Sequence, residues 1–460
     1  MDNRFKFIAI IFAVVFVTSG VSIVYMHHVA ANSNTEQAKL YPAASDGMGG
    51  VTIDSVILAE NIINHHVFSR SLEAPFEPDV WRTPGHPIFV AAVYYVFGDF
   101  YSVLVANILL LFFTAVLIFK IAEHLMPQKL ALAVSLLYAV LPDSLLSTSA
   151  LFSENLFVLV LILAVYVLFF SKIKNIYLKW ALTGLLLAAT VYIRPASQYI
   201  LLFFIPAYFI LFLKKSEITR KHFIAAGLLI LVFLGTMSPW CIRNREETGI
   251  WSFNSAGAFV LFYQAAWFYQ AMHPLDPLKA LHALEDMAGI PRGPVPEESK
   301  YSHTLQTVAL QVIFAHPWRY TVFHLSGLVP FFTSTGSREY MLFVKNMLPH
   351  DTPISEPTLI QALNQFSIPT LIVVLKNHGW TLLESILWAI LTILAFWSAW
   401  RSKDKKLARV FLAIVMYFAL VTGPISHARY RIPAEPFLLI CAFSTLAYFV
   451  NEKKINLHFK

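Results

Sequence analysis

Two acids in this sequence lie where apolar runs begin, and charged groups at such depth are costly unless they are paired or take part in chemistry. Asp54 opens the amphipathic stretch 54–63, and Glu154 begins a long apolar run. Asp54 fits a helix N-cap, and it also fits a general base held at the membrane boundary. For Glu154, a structural ion pair with an arginine and a functional acid both stay open.

Arginines occupy short connections between apolar runs, at Arg194, Arg243, Arg429 and Arg431. Pro195 follows the first of them and should end a helix there. Guanidinium groups match phosphate oxygens bidentately. We therefore predict that the group binds a phosphate or pyrophosphate on a lipid carrier, with snorkelling or pairing with acids as the alternative for single members.

Other chemistries lack a supporting pattern. No His-Glu-x-x-His spacing or glycine-rich phosphate loop occurs, which disfavours a zinc hydrolase or a nucleotide-driven pump. A divalent metal stays open without a motif for it, and no other cofactor is indicated. Cys241 and Cys441 lie too far apart in the chain to suggest a disulfide framework. The basic residues form no tract with interleaved aromatics, so nucleic acid is not expected as a partner.

The amino-acid composition indicates a protein that lies within a lipid bilayer. Of 460 residues, 57% are hydrophobic and 13% are charged, and the mean hydropathy is +0.63. We predict an all-α polytopic membrane protein with about ten spans, twelve being the alternative. The ten runs lie near residues 7–27, 100–122, 128–149, 152–171, 177–194, 196–213, 222–240, 380–400, 407–424 and 432–450.

Basic residues in the loops define a predicted topology. With ten spans, the short basic loops and both termini share one side, the cytoplasmic one. The apolar segments 84–97 and 317–335 are then interfacial or re-entrant. The predicted regions are a first span (1–27), an outer loop with the catalytic acid and interfacial helices (28–99), spans two to seven (100–240), an outer or re-entrant acceptor region (241–379) and the C-terminal spans (380–460).

The order of these motifs resembles the GT-C superfamily of integral-membrane glycosyltransferases. Within it, the chain is similar to glycosyltransferase family 39, which includes the protein O-mannosyltransferases and the bacterial aminoarabinose transferase. Ser55 departs from the pattern, since many relatives have a second acid there. The motifs that carry the resemblance are Asp54, Arg82-Thr83-Pro84-Gly85-His86-Pro87, Ser153-Glu154-Asn155, Arg194-Pro195, Pro239-Trp240-Cys241-Ile242-Arg243-Asn244 and Arg429-Tyr430-Arg431-Ile432-Pro433.

The resemblance implies an inverting transfer of a monosaccharide from a polyprenyl-phosphate carrier, such as undecaprenyl phosphate, to a glycan, lipid or protein acceptor. It makes Asp54 the general base and Glu154 a second acid. The four arginines become the donor-phosphate site, and Arg82, His86 and Tyr430 become candidate substrate-binding residues. The expected location is a bacterial inner membrane with a periplasmic site serving cell-envelope glycosylation.

Two other functions remain open from the sequence. A transporter or flippase of a lipid-linked glycan would use the same phosphate chemistry, although the repeated halves typical of transporters are not visible. A non-catalytic membrane scaffold would need its arginines only for lipid headgroups. The sugar, the acceptor and the oligomeric state do not follow from these motifs.

Overall fold

The computed structural model describes residues 3–31, 51–249, 251–273, 275–292, 301–347 and 368–458, and no β-strand occurs in these ranges. The N-terminal half is a series of helices joined by short connections. These helices are α1 (Asn3–Ala31), α2 (Val51–His65), α3 (Gly85–Phe97), α4 (Tyr101–Leu125), α5 (Gln128–Val140), α6 (Pro142–Ser149), α7 (Glu154–Phe170), α8 (Ile176–Ile193), α9 (Leu201–Pro206, continued as a π-helix over Ala207–Phe212) and α10 (Arg220–Thr248).

The second half begins with shorter helices and ends with long apolar ones. It comprises α11 (Ala256–Met272), α12 (Pro277–Ala288), α13 (Ser302–Ala315), α14 (Pro317–Ser326), α15 (Leu328–Thr333), α16 (Gly336–Met347), α17 (Ile368–Arg401), α18 (Lys405–Thr422), the single turn α19 (Ala428–Arg431) and α20 (Glu435–His458).

Seven helices among the described residues are long and apolar enough to cross a membrane, and the bent pair α5–α6 makes an eighth. They coincide with eight of the ten predicted spans. The other two positions hold α7 and Glu435–Val450 of α20, which are apolar but shorter. The all-α membrane fold is confirmed, and by length and composition the described residues supply seven or eight of the ten predicted spans.

The two segments predicted to be interfacial are too short to cross. The first is α3, with 13 residues. The second breaks at Gly327 into α14 and α15, of 10 and 6 residues. A twelve-span arrangement would need both segments to be continuous spans.

Helix direction places the candidate residues at one end of the bundle and the basic loops at the other. Glu154 is the first residue of α7 and Phe170 the last, which separates them by about 24 Å at the usual helical rise. The next helix, α8, returns and ends beside Arg194. Glu154 and Arg194 therefore meet at the end opposite the loop that carries Lys172 and Lys174.

The region after α10 contains a helical unit with its own core. Helices α11, α12 and α13 bury a separate hydrophobic cluster that includes Phe262, Phe268, Leu284 and Val308. Its first helix, α11, lies beside the segment that leads into the Arg82–Pro87 motif. Phe259 of α11 makes an edge-on contact with Trp81, at 4.7 Å between ring centroids. This unit thus flanks the end of the bundle that carries the candidate residues.

Gly85 sets how closely α3 approaches the end of α8. A Cβ atom at this position would lie 2.7 Å from the carbonyl carbon and oxygen of Tyr192 and 2.9 Å from the amide of Ile193. Backbone atoms cannot rotate away, so Gly85→Ala should move α3 and lower the stability by about 1–3 kcal/mol.

The measurement is the thermal unfolding midpoint in detergent. Gly227→Ala is the matched control because a Cβ atom there meets nothing within 4 Å, and Ala should be neutral or slightly stabilising in that helix. Equal midpoints for the two variants would contradict the close approach.

Candidate active site

Asp54 lies in the first turn of α2, and two arginines hold it. Arg82 reaches Oδ2 of Asp54 through Nε at 2.8 Å and through a terminal nitrogen at 2.7 Å, and Arg70 approaches the same oxygen at 3.4 Å. The N-cap interpretation was wrong, because α2 already includes Val51. Both guanidinium groups place positive charge beside this carboxylate.

Asp79 links this pair to Arg243. Its buried carboxylate forms an ion pair with Arg70 and accepts the backbone N–H of Arg82 at 2.8 Å. Arg243 donates to the carbonyl oxygen of Asp79 at 2.6 Å and lies over the Trp240 ring at 4.9 Å. Because α10 continues past the predicted end of its span, Arg243 projects from a helix and supports the loop that orients Asp54.

Sequence reasoning missed Arg70 and Asp79. Both belong to the first outer loop, residues 28–99. No motif marks them, since their spacing of nine positions matches neither a helical nor a strand repeat. The signal available in the sequence was that Arg70 and Asp79, two residues of opposite charge, lie in the same loop as the candidate base Asp54.

Glu154 lies between two of the predicted arginines. Its Oε1 accepts from Arg194 at 2.6 Å and from Nε of Arg429 at 2.5 Å, and its side chain is 1% exposed. Arg429 also covers the ring of Phe152 at 4.1 Å. Pro195 starts a short 3-10 turn directly after α8, which confirms that this Arg-Pro pair ends the helix and leaves Arg194 at its tip.

His86 lies near both carboxylate clusters. Its Nδ1 lies 3.1 Å from the hydroxyl of Ser55, the residue after Asp54, and its ring is buried. Burial, together with the Arg194 and Arg429 charges, lowers the pKa of His86 to about 4, although the Glu154 charge opposes them. The imidazole is therefore neutral at neutral pH.

The lowered pKa predicts a loss of stability in acid. The unfolded chain binds the His86 proton near pH 6.5 and the folded protein only near pH 4, so stability falls as the pH drops through this window. The full difference corresponds to about 3 kcal/mol. We expect His86→Gln to flatten the dependence of the unfolding midpoint on pH between 6.5 and 4.

His303→Gln serves as the control, because that histidine is exposed on α13. It should keep the slope of the parent protein. A slope for His86→Gln equal to that of the control would argue against a buried neutral imidazole.

Arg431 does not join the other arginines. Its side chain is fully buried and bonds Glu435 at 3.2 Å and the Ser334 carbonyl at 2.7 Å, and its guanidinium covers the Trp388 ring at 3.7 Å. Asp143 lies 3.8 Å away. The four arginines of the predicted donor-phosphate site are therefore not assembled as one set. Arg431 instead lies inside a network of ion pairs that joins neighbouring helices.

The neighbours of Arg429 include an acid that the sequence did not single out. Glu339 on α16 faces His427 at 3.4 Å. Burial tends to raise its pKa, but the His427 contact and the Arg338 and Arg429 charges outweigh this, so that the pKa is lowered. Tyr430, a predicted substrate-binding residue, is half-buried and packs edge-on against His427 at 4.6 Å.

A metal site was left open by the sequence. Within the ranges that the structure describes, no group of three or more His, Cys, Asp and Glu side chains is arranged to hold a metal ion. The acids of the candidate site instead face arginines, at Asp54 and at Glu154.

The fold and the site define a class: a helical membrane protein with acid–arginine clusters gathered at one end of its bundle. The family model of dolichyl-phosphate-mannose-protein mannosyltransferases matches residues 81–242. This stretch contains Arg82, His86, Glu154 and Arg194, so the resemblance seen in the motifs is confirmed there. The match covers about a third of the chain.

A solved structure also resembles this chain. It is the oligosaccharyltransferase of Archaeoglobus fulgidus, tethered with an acceptor peptide through a disulfide bond. At 12% identity and a TM-score of 0.49, the likeness covers 96% of this chain and 50% of that one. The chain therefore spans about half the length of the archaeal protein. No curated protein matches the sequence.

Proposed function

We propose that the protein transfers a monosaccharide from a polyprenyl-phosphate carrier to an acceptor at the outer face of the membrane, with inversion at the anomeric carbon. The observation that supports this proposal is that two acid–arginine clusters lie near one histidine. Asp54 pairs with Arg82, and His86 contacts the adjacent Ser55. The charges of Glu154, Arg194 and Arg429 act on the same buried His86 ring. A candidate base and a candidate phosphate-binding pair therefore both lie close to His86.

In this proposal Asp54 is the general base. Arg82 lies 2.7 Å from the carboxylate oxygen Oδ2, and Arg70 lies 3.4 Å from the same oxygen. The acceptor hydroxyl gives its proton to Asp54 while its oxygen bonds the anomeric carbon from the face opposite the phosphate. A base of this kind acts only within hydrogen-bond reach of the hydroxyl.

The leaving group takes the electron pair of the broken bond between the anomeric carbon and the phosphate oxygen. We assign the growing negative charge to Arg194 and Arg429, whose side chains are 19% and 12% exposed. Stabilisation of developing charge by fixed cations is commonly the largest catalytic contribution. Glu154 keeps the two guanidinium groups together, which would otherwise repel each other.

The other predicted residues receive supporting roles. Arg243 has its donors on the carbonyl oxygens of Asp79 and Phe68, so we place it in support of the Asp54 loop. Arg431 holds α19 against Glu435 and thereby fixes the backbone next to Arg429. Tyr430 lies between Arg429 and Arg431 in the sequence. It is the side chain of α19 that we assign to substrate binding.

The direct test uses purified protein in lipid nanodiscs, a polyprenyl-phosphate-linked radiolabelled monosaccharide and a membrane extract as acceptor. We expect release of free polyprenyl phosphate together with label in a new product, of inverted anomeric configuration by NMR. Movement of the labelled lipid across proteoliposomes without any transfer would contradict the proposal and indicate a flippase.

A further inference from the structure

One cavity lies at the basic end of the bundle, away from the acid clusters. It has a volume of about 660 Å³. The ends of α4, α7 and the π-helical turn after α9 form its wall, and the start of α18 forms its rim. The lining residues are His124, Leu125, Phe169, Phe170, Phe212, Lys403, Asp404, Lys405, Lys406 and Leu407.

The rim is cationic, and its one acid is already engaged. Asp404 caps α18 by accepting the N–H of Leu407 at 3.0 Å, and Lys406 lies 3.7 Å from Glu217. Lys403 and Lys405 are exposed and form no ion pair with any residue that the structure describes. Two cations are therefore available to a ligand, beside the positive end of a helix of 18 residues.

The wall is apolar and aromatic. Phe169 packs against Phe212 at 4.9 Å between ring centroids, and Phe170 packs against His124 at 4.8 Å. All three phenylalanines are only half-buried, so their faces remain accessible from the cavity. The site thus pairs an apolar wall with a cationic rim at the end of the spans, where lipid headgroups meet water.

We propose that this cavity binds the anionic phosphodiester headgroup of a membrane lipid, with Lys403 and Lys405 on the phosphate and an acyl chain along Phe169, Phe170 and Phe212. A free phosphate would leave the aromatic wall without a partner. The whole length of α7, about 24 Å, separates the cavity from Glu154. It is accordingly a different site from the one proposed for the sugar donor.

The test is native mass spectrometry of the full chain, released from nanodiscs that contain phosphatidylglycerol or phosphatidylcholine. We expect bound phosphatidylglycerol to persist and phosphatidylcholine to dissociate. Lys403→Gln combined with Lys405→Gln should weaken phosphatidylglycerol retention by about 25-fold, the product of about fivefold for each surface cation.

The matched control replaces Lys172 and Lys174 with Gln. Both are exposed at the same end of the bundle and neither lines the cavity, so this variant should retain the lipid as the parent does. Equal retention of the two lipids, or equal loss in the two double variants, would overturn the proposal. Displacement of the lipid by millimolar inorganic phosphate would overturn it as well, in favour of a free anion.

Discussion

Replacing Asp54 by Asn should abolish transfer while leaving the protein folded. Asn has the same shape and can still accept a hydrogen bond from Arg82, but it cannot take a proton from an acceptor hydroxyl. General-base catalysis contributes about 10²–10⁴-fold to a rate, and turnover should fall by that factor. The measurement is polyprenyl phosphate release, with the monodispersity and unfolding midpoint of the variant as the check on folding.

Glu60 provides a matched control on the same helix. Its carboxylate is half-buried, and burial raises its pKa, yet it contacts no arginine among the described ion pairs. Glu60→Gln should therefore keep turnover near that of the parent. If Asp54→Asn retained full turnover, or if the two variants lost it equally, Asp54 would not be the base.

Features set by neighbouring residues could be predicted from the sequence. Pro195 ends α8 because a proline lacks the N–H and clashes with the preceding turn, and Glu154 begins α7 because the apolar run starts there. The apolar runs themselves located the long helices. Each of these inferences needs only a few adjacent positions in the chain.

Pairings between distant residues could not be predicted in this way. Arg429 and Glu154 are 275 positions apart, and nothing local indicates which acid an arginine will meet.

The N-cap interpretation of Asp54 failed for another reason. The residues before it, Val51 to Ile53, extend the helix, although β-branched types are weak helix formers.

Arg429 and Arg431 illustrate a limit of motif reading. They are two positions apart on the single helical turn α19, where side chains separated by two residues point about 200° apart. One therefore faces Glu154 while the other is buried against Glu435. The motif treated them as one phosphate-binding set, but helical geometry assigns them to opposite sides.

Glu154→Gln should both destabilise the protein and stop transfer. The substitution removes the carboxylate that lies between Arg194 and Arg429, and two guanidinium groups are left facing each other. Breaking a buried ion pair on one side costs about 3–5 kcal/mol. We expect about 3 kcal/mol here, because both arginines keep some contact with solvent.

The double variant Glu154→Gln, Arg194→Gln separates the structural role of the cluster from its catalytic role. Removing one cation restores the original net charge of the cluster, so much of the lost stability should return in the unfolding midpoint. Turnover should not return, because a donor phosphate would then meet a single guanidinium in place of two. If the double variant regained both stability and turnover, Arg194 would be only a structural partner of Glu154. If the single variant Glu154→Gln were as stable as the parent, the buried ion pair itself would be contradicted.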